Sequence, residues 1–156
     1  MIQANLEKIK EITREFFGKT GLLVEAIEIK NPQDFTVPID LKMEEPQILI
    51  GEGGQTLAEV QRLLKIILQK RAVSEPHFYI DLDVNDYKKK KSEYLKEMAI
   101  SAADDVALTK KEKQLPPMTA YERRIIHLEL ASARPDVVTE SIGQEPERRV
   151  AIKPRP

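Results

Sequence analysis

The sequence contains no cysteine, which excludes disulfides, thiol chemistry and thiolate metal sites. Histidine is almost as scarce, with His77 and His127 far apart in the chain. A zinc site would therefore need an unusual, carboxylate-rich shell, and neither a metal nor any other cofactor is expected. No apolar run approaches the roughly 18 residues that a membrane span requires. The first residues, Met1 to Lys8, lack the basic region and following apolar run of a secretory signal. A reducing cytoplasm is the natural setting for such a chain.

What is present is the composition of a globular domain rich in charge, 41% apolar and 33% charged over 156 residues. That length can bury a core, as one domain or two small ones. The net charge of −1 hides an asymmetry: residues 1–86 carry 10 Lys and Arg against 15 Asp and Glu, and residues 87–156 carry 15 against 11. The basic second half suits an anionic partner, although an ordinary solvated surface has the same signature.

Apolar spacing divides the first half into elements. Leu6, Ile9, Ile12 and Phe16 predict a helix over 5–17, ended by Gly18 and Gly21. Strand-like stretches follow at 22–29 and 35–41, separated by the turn-forming residues 31–34. A short apolar piece, 47–50, runs into Gly51-Glu52-Gly53-Gly54. An amphipathic helix then carries Leu57, Val60, Leu64, Ile67 and Leu68 on one face, and 78–84 alternates as a strand.

The second half opens with a helix predicted over 85–110, its buried side formed by Tyr87, Tyr94, Leu95, Met98, Ala102 and Val106. The run Lys88–Lys91 fills its first turns; four consecutive residues cannot share one helical face, so it reads as solvated surface or as a partial phosphate track. A second helix starts after Thr119 and ends near Ser132, with Tyr121, Ile125 and Leu128 expected toward the core. Strands at 137–142 and 150–153 close the chain. Two domains are expected, 1–84 and 85–156, in an α+β architecture.

Two motifs carry chemistry. Glycines at 51, 53 and 54 let backbone approach a ligand, and the following helix start offers free amides to an anion. A P-loop would need Gly-Lys-Ser/Thr where Gly54-Gln55-Thr56 stands, and a dinucleotide fingerprint would need glycine in place of Thr56. In the second helix, Thr119-Ala-Tyr-Glu122 is a capping box that sets the start. Arg123 and His127 then share a face four residues apart, with Arg124 on an adjacent one. Arginine offers a planar fork for phosphate, and histidine can donate a hydrogen bond or stack on a base. Catalysis is disfavoured: His127 has no cysteine partner, and nearby serines and acids form no recognisable triad.

The stretch Ile48-Leu-Ile-Gly-Glu-Gly-Gly-Gln-Thr-Leu57, within its element order, resembles the KH fold of type II topology, whose glycine loop clamps unpaired nucleotides. One departure is Glu52, standing where such loops usually carry a basic residue; a carboxylate there repels phosphate by roughly 1 kcal/mol. The loop is thus expected to bind weakly, or to lean on Arg62, Lys65 or neighbouring amides. Leu115-Pro-Pro-Met-Thr-Ala-Tyr-Glu-Arg-Arg-Ile-Ile-His127 and Val138-Thr-Glu-Ser-Ile-Gly-Gln-Glu-Pro-Glu-Arg-Arg-Val-Ala-Ile-Lys-Pro154 resemble the small α/β Arg-x-x-x-His (R-3-H) domain. The two in tandem, over about residues 20–154, resemble the bacterial Jag family, also called EloR or KhpB.

That resemblance implies a non-catalytic protein that binds single-stranded RNA, with single-stranded DNA as the alternative ligand. It implies contacts through Gly51, Glu52, Gly53, Gly54, Arg123, Arg124, His127, Arg148, Arg149 and Lys153. It further implies a role in cell elongation and division, and a small KH-domain protein or a second copy as partner. Members often carry a further amino-terminal domain, so these residues are expected to be a shorter member or a piece of a longer chain. The rival reading is an adaptor that uses its KH surface for a protein partner, favoured by Glu52 and the acidic first half.

Overall fold

The computed structural model describes residue 2 and residues 5–156. It divides into two compact units, Met1–Lys88 and Lys89–Pro156, in a mixed α/β fold.

The first unit opens with α1 (Leu6–Lys19), followed by β1 (Val24–Ile29), β2 (Thr36–Met43) and α2 (Gln47–Ile50). After a 3-10 turn at Glu52–Gly54 come α3 (Gln55–Arg71) and β3 (Tyr79–Val84). β2 is the central strand, antiparallel to β1 and parallel to β3. A parallel pair needs a crossover, and α2, the glycine turn and α3 supply it. Inward residues alternate along the strands: Val37, Ile39, Leu41 and Met43 on β2, then Ile80, Leu82 and Val84 on β3. They share one core with Ile9, Ile12 and Phe17 of α1 and with Leu57, Leu64 and Leu68 of α3. Asn85 ties the end of this sheet: its side chain donates to the Met43 carbonyl at 2.7 Å and accepts from the Met43 amide at 2.9 Å.

The first helix ends later than its glycines suggest. Gly18 lies inside α1, and the stop comes at Thr20, whose hydroxyl and amide both turn back to the Phe17 carbonyl, with Gly21 beyond at φ +78°. A glycine in a helix costs stability but does not end it; a left-handed residue does.

The second unit is built on α4 (Tyr87–Thr109), β4 (Lys113–Gln114), α5 (Ala120–Ala133), β5 (Val137–Ile142) and β6 (Arg149–Pro154). The expected first residues of α4 are instead a turn, because Asn85 and Asp86 take positive φ; Asp83 then accepts a hydrogen bond from the Lys88 amide in the helix's first turn. β6 is central and antiparallel to both β4 and β5. Leu95, Ala99, Ala102, Ala103 and Val106 of α4 share a core with Ile126 and Leu130 of α5, Val137 of β5, and Val150 and Ile152 of β6.

Three aromatic and aliphatic assignments change. Tyr94 is 58% exposed, Tyr121 70% and Leu128 60%. The buried side of α5 is Arg123, Ile126 and Leu130, so its inward stripe is rotated from the one the apolar pattern suggests. The helix start is as the sequence indicates: the Glu122 amide donates to Thr119 Oγ1 at 3.3 Å, and the Thr119 amide donates to the Glu122 carboxylate at 2.9 Å. Thr119→Ala removes half of this box and is expected to cost about 1 kcal/mol of unfolding free energy, read from urea denaturation. A loss below a few tenths would show that α5 does not depend on its cap.

Candidate nucleic-acid interface

The glycine loop is shaped by its own packing. Gly51 ends α2 at φ +70°, and a Cβ there would lie 2.0 Å from Thr56 Oγ1. Gly54 starts α3 at φ +83°, with a Cβ meeting the Tyr87 ring at 3.1 Å. Gly53 also takes positive φ, but opens onto empty space. Gly51 and Gly54 therefore have steric reasons to be glycine that involve no ligand. Glu52 is exposed at the tip, and α3 begins without a side-chain cap.

Of the basic residues expected to assist this loop, Lys65 is engaged elsewhere. Lys65 is eleven residues along α3, ~16 Å from its start, and its ammonium sits 4.5 Å above the Tyr79 ring. Lys88 is bonded to Asp81 and Gln61, and Lys91 lies 3.9 Å from Glu122. Of the lysine run, Lys89 and Lys90 are the exposed members for which no ion pair forms among the described residues.

In the second unit the side chains come together at one place. Arg123, taken from sequence as a phosphate fork, is buried. Its Nη1 donates to the Met118 carbonyl and to Glu145 Oε1, both at 2.8 Å. This pairing is what allows a guanidinium on an inward face. His127, one turn on, is gripped at both nitrogens by β5: Nδ1 lies 2.7 Å from Thr139 Oγ1 and Nε2 2.8 Å from Ser141 Oγ. Thr139 and Ser141 are two apart, so a strand aims both hydroxyls to the same side.

Burial, and secondarily the neighbouring Arg123 charge, hold the His127 pKa below the usual histidine range. At neutral pH the ring is neutral, donating to one hydroxyl and accepting from the other. The Ser141–His127 distance is that of a nucleophile–base pair. Yet Nδ1 faces a hydroxyl where such catalysis needs a carboxylate, and Arg123 disfavours the imidazolium. The two hydroxyls fix the ring's orientation.

The remaining candidates lie around this centre in sequence. Arg124 is exposed, with no hydrogen bond or ion pair among the described residues. Arg148 donates to the Gly143 carbonyl at 2.7 Å, and Arg149 reaches Glu147. Lys153 bonds Glu140 at 2.8 Å, which raises its pKa above the usual lysine value. Thr139, Ser141 and Glu145 were not among the sequence candidates; the alternation along β5 is the one signal that could have placed the two hydroxyls. Two surface depressions of about 340 and 350 Å³ follow α4 and α5, sharing Lys96 and Glu129, and neither includes Arg123 or His127.

Comparison with known proteins gives this unit a class. Residues 93–154 match the family model of the R-3-H domain, so the chain carries such a domain, spanning most of α4 through β6. Over nearly its whole length, it also has homologues bearing one name. It is 34% identical over 146 residues to "RNA-binding protein KhpB" of Clostridium symbiosum, covering 94% of this chain and 64% of the relative. The protein of that name in Bacillus subtilis is 35% identical over 145 residues, covering 92% and 66%. The one in Lactiplantibacillus plantarum is 37% identical over 105 residues, covering 67% and 32%. The chain thus spans just under two thirds of the first relative's length and about a third of the last.

Because the His127 pKa is lowered on folding, the unfolded chain takes up the proton first as pH falls. The stability present above the ordinary histidine pKa is therefore lost progressively as the pH drops through and below it. Midpoints of urea unfolding should fall faster between pH 7.5 and 5 for the native chain than for His127→Gln. Parallel pH profiles would show that the ring titrates no differently in the fold.

Proposed function

We propose that this chain binds single-stranded RNA without catalysis, chiefly through its second unit, as a KhpB-like regulator. The observation that carries this reading is the R-3-H match over 93–154, containing the Arg123 and His127 pair. The name shared by the relatives supports RNA as the ligand. In this reading α5 and β5 offer the face of a rigid, neutral imidazole for base stacking and two hydroxyls for hydrogen bonding, and the exposed Arg124 supplies phosphate contact. Arg148, Arg149 and Lys153 add charge along the closing hairpin.

The first unit is assigned to the type II KH fold. Its support is the order of elements around Gly51–Gly54, with a parallel β2–β3 pair joined through the glycine turn. A place in the cytoplasm, a link to cell elongation and division, and pairing with a small KH protein or a second copy complete the proposal; they rest on the family resemblance. A second reading gives the KH surface to a protein partner, and one observation favours it: Glu52 is the exposed side chain at the loop tip.

A salt titration with a short unstructured RNA tests both. The native chain should lose affinity steeply with salt, and Arg124→Ala should weaken binding about fivefold and flatten the logarithmic slope by about 0.7. No binding of RNA or DNA at low salt would end the proposal. Glu52→Lys separates the two readings of the first unit. Tighter RNA binding puts the loop in the interface, whereas an unchanged affinity leaves that surface to a protein.

A further inference from the structure

We propose that Glu145 is a resident competitor at the interface, holding Arg123 where an RNA phosphate would otherwise bind and leaving when RNA arrives. The inference rests on the RNA reading of this face and adds to it a residue that sets its affinity.

The geometry is asymmetric across the pair. The Arg123 side chain is 9% exposed and that of Glu145 59%, with Nη1 to Oε1 at 2.8 Å. The carboxylate therefore stands on the solvent side of a sunken guanidinium. An anion coming from solvent to Nη1 must take the place of Glu145. Carboxylate and phosphate offer an arginine fork similar oxygens, so one can replace the other without remaking the donor.

Both partners can survive the exchange. The Met118 carbonyl also accepts from Nη1 at 2.8 Å, so Arg123 keeps an anchor as Glu145 departs and is never an orphaned buried charge. Glu145 belongs to the β5–β6 turn, whose residues 143–147 are all exposed. That turn is held by its own bonds, from the Glu147 amide to the Gln144 carbonyl and from Arg148 to the Gly143 carbonyl. Glu145 can swing away without opening the core beneath. Its departure would uncover the Arg123 charge to solvent, where an anion could take its place.

The test compares Glu145→Gln, which keeps size and acceptor but removes charge, with Glu97→Gln, which removes a charge from exposed α4. Affinity for a short unstructured RNA and its salt dependence are measured for both. Glu145→Gln should bind about fivefold tighter, with a logarithmic salt slope steeper by about 0.7, while Glu97→Gln matches the native chain. Equal affinities for the two variants would overturn the proposal, as would weaker binding by a Glu145→Gln protein of unchanged circular dichroism. In the native chain, the Glu145 carboxyl ¹³C resonance should shift as RNA is added. A resonance unmoved at saturation overturns the proposal without any variant. Failure of the underlying reading looks different: the native chain would then bind no RNA at low salt. Displacement of Glu145 by an acidic peptide but not by RNA would assign the site to a protein ligand and reject the inference.

Discussion

A guanidinium cannot lose its water without finding other acceptors, and in the second unit much follows from how Arg123 finds them. An uncompensated charge at that depth would cost several kcal/mol. Arg123 avoids this with one carbonyl from the connection before α5 and one carboxylate from the turn after β5. Those two acceptors tie the Met118 segment, α5 and the β5–β6 turn to a single point. That pairing goes with the roll of α5, in which Arg123, Ile126 and Leu130 face inward and Tyr121 and Leu128 lie on the surface.

The roll of α5 also determines what His127 meets. Four residues from Arg123, it lies over β5 where Thr139 and Ser141 project. A neutral ring bonded at both nitrogens has one orientation, whereas a free surface histidine has several. The price of that order is basicity, since burial and the Arg123 charge both oppose protonation. The pair is thus held in two different states: the arginine charged but covered, the histidine neutral and bonded at both nitrogens.

Most elements were legible in the sequence because they depend on local patterns. The capping box at Thr119 and Glu122 states the start of α5 in four residues, and the alternation along β2 and β3 marks their inward faces. The failures come from terms no local window contains. Arg123 counts as surface in any polar–apolar pattern, and its burial depends on Glu145, 22 residues later. Tyr121 and Leu128 look like core until the inward stripe of Arg123, Ile126 and Leu130 is seen. β4 is two residues long, too short to alternate, and exists because β6 pairs with it. Gly18 misled for a related reason: composition marks a breaker, but only the left-handed Gly21 ends the helix.

The glycine loop and the Arg123–His127 helix began as equal candidates for touching an anion, and physical accounting separates them. Gly51 and Gly54 are required by Thr56 and Tyr87, so their presence is explained before any ligand is invoked. The loop tip carries a carboxylate, and Lys65 and Lys88 are engaged away from it. Across the hairpin of the second unit, the cations are also largely matched: Arg123 with Glu145, Arg149 with Glu147, Lys153 with Glu140. A surface whose positive charges are largely paired gives little long-range attraction, so any anion it met would have to exchange with an acid already in place at contact. The acids of the β5–β6 hairpin therefore shape the charge of this face as much as its bases do.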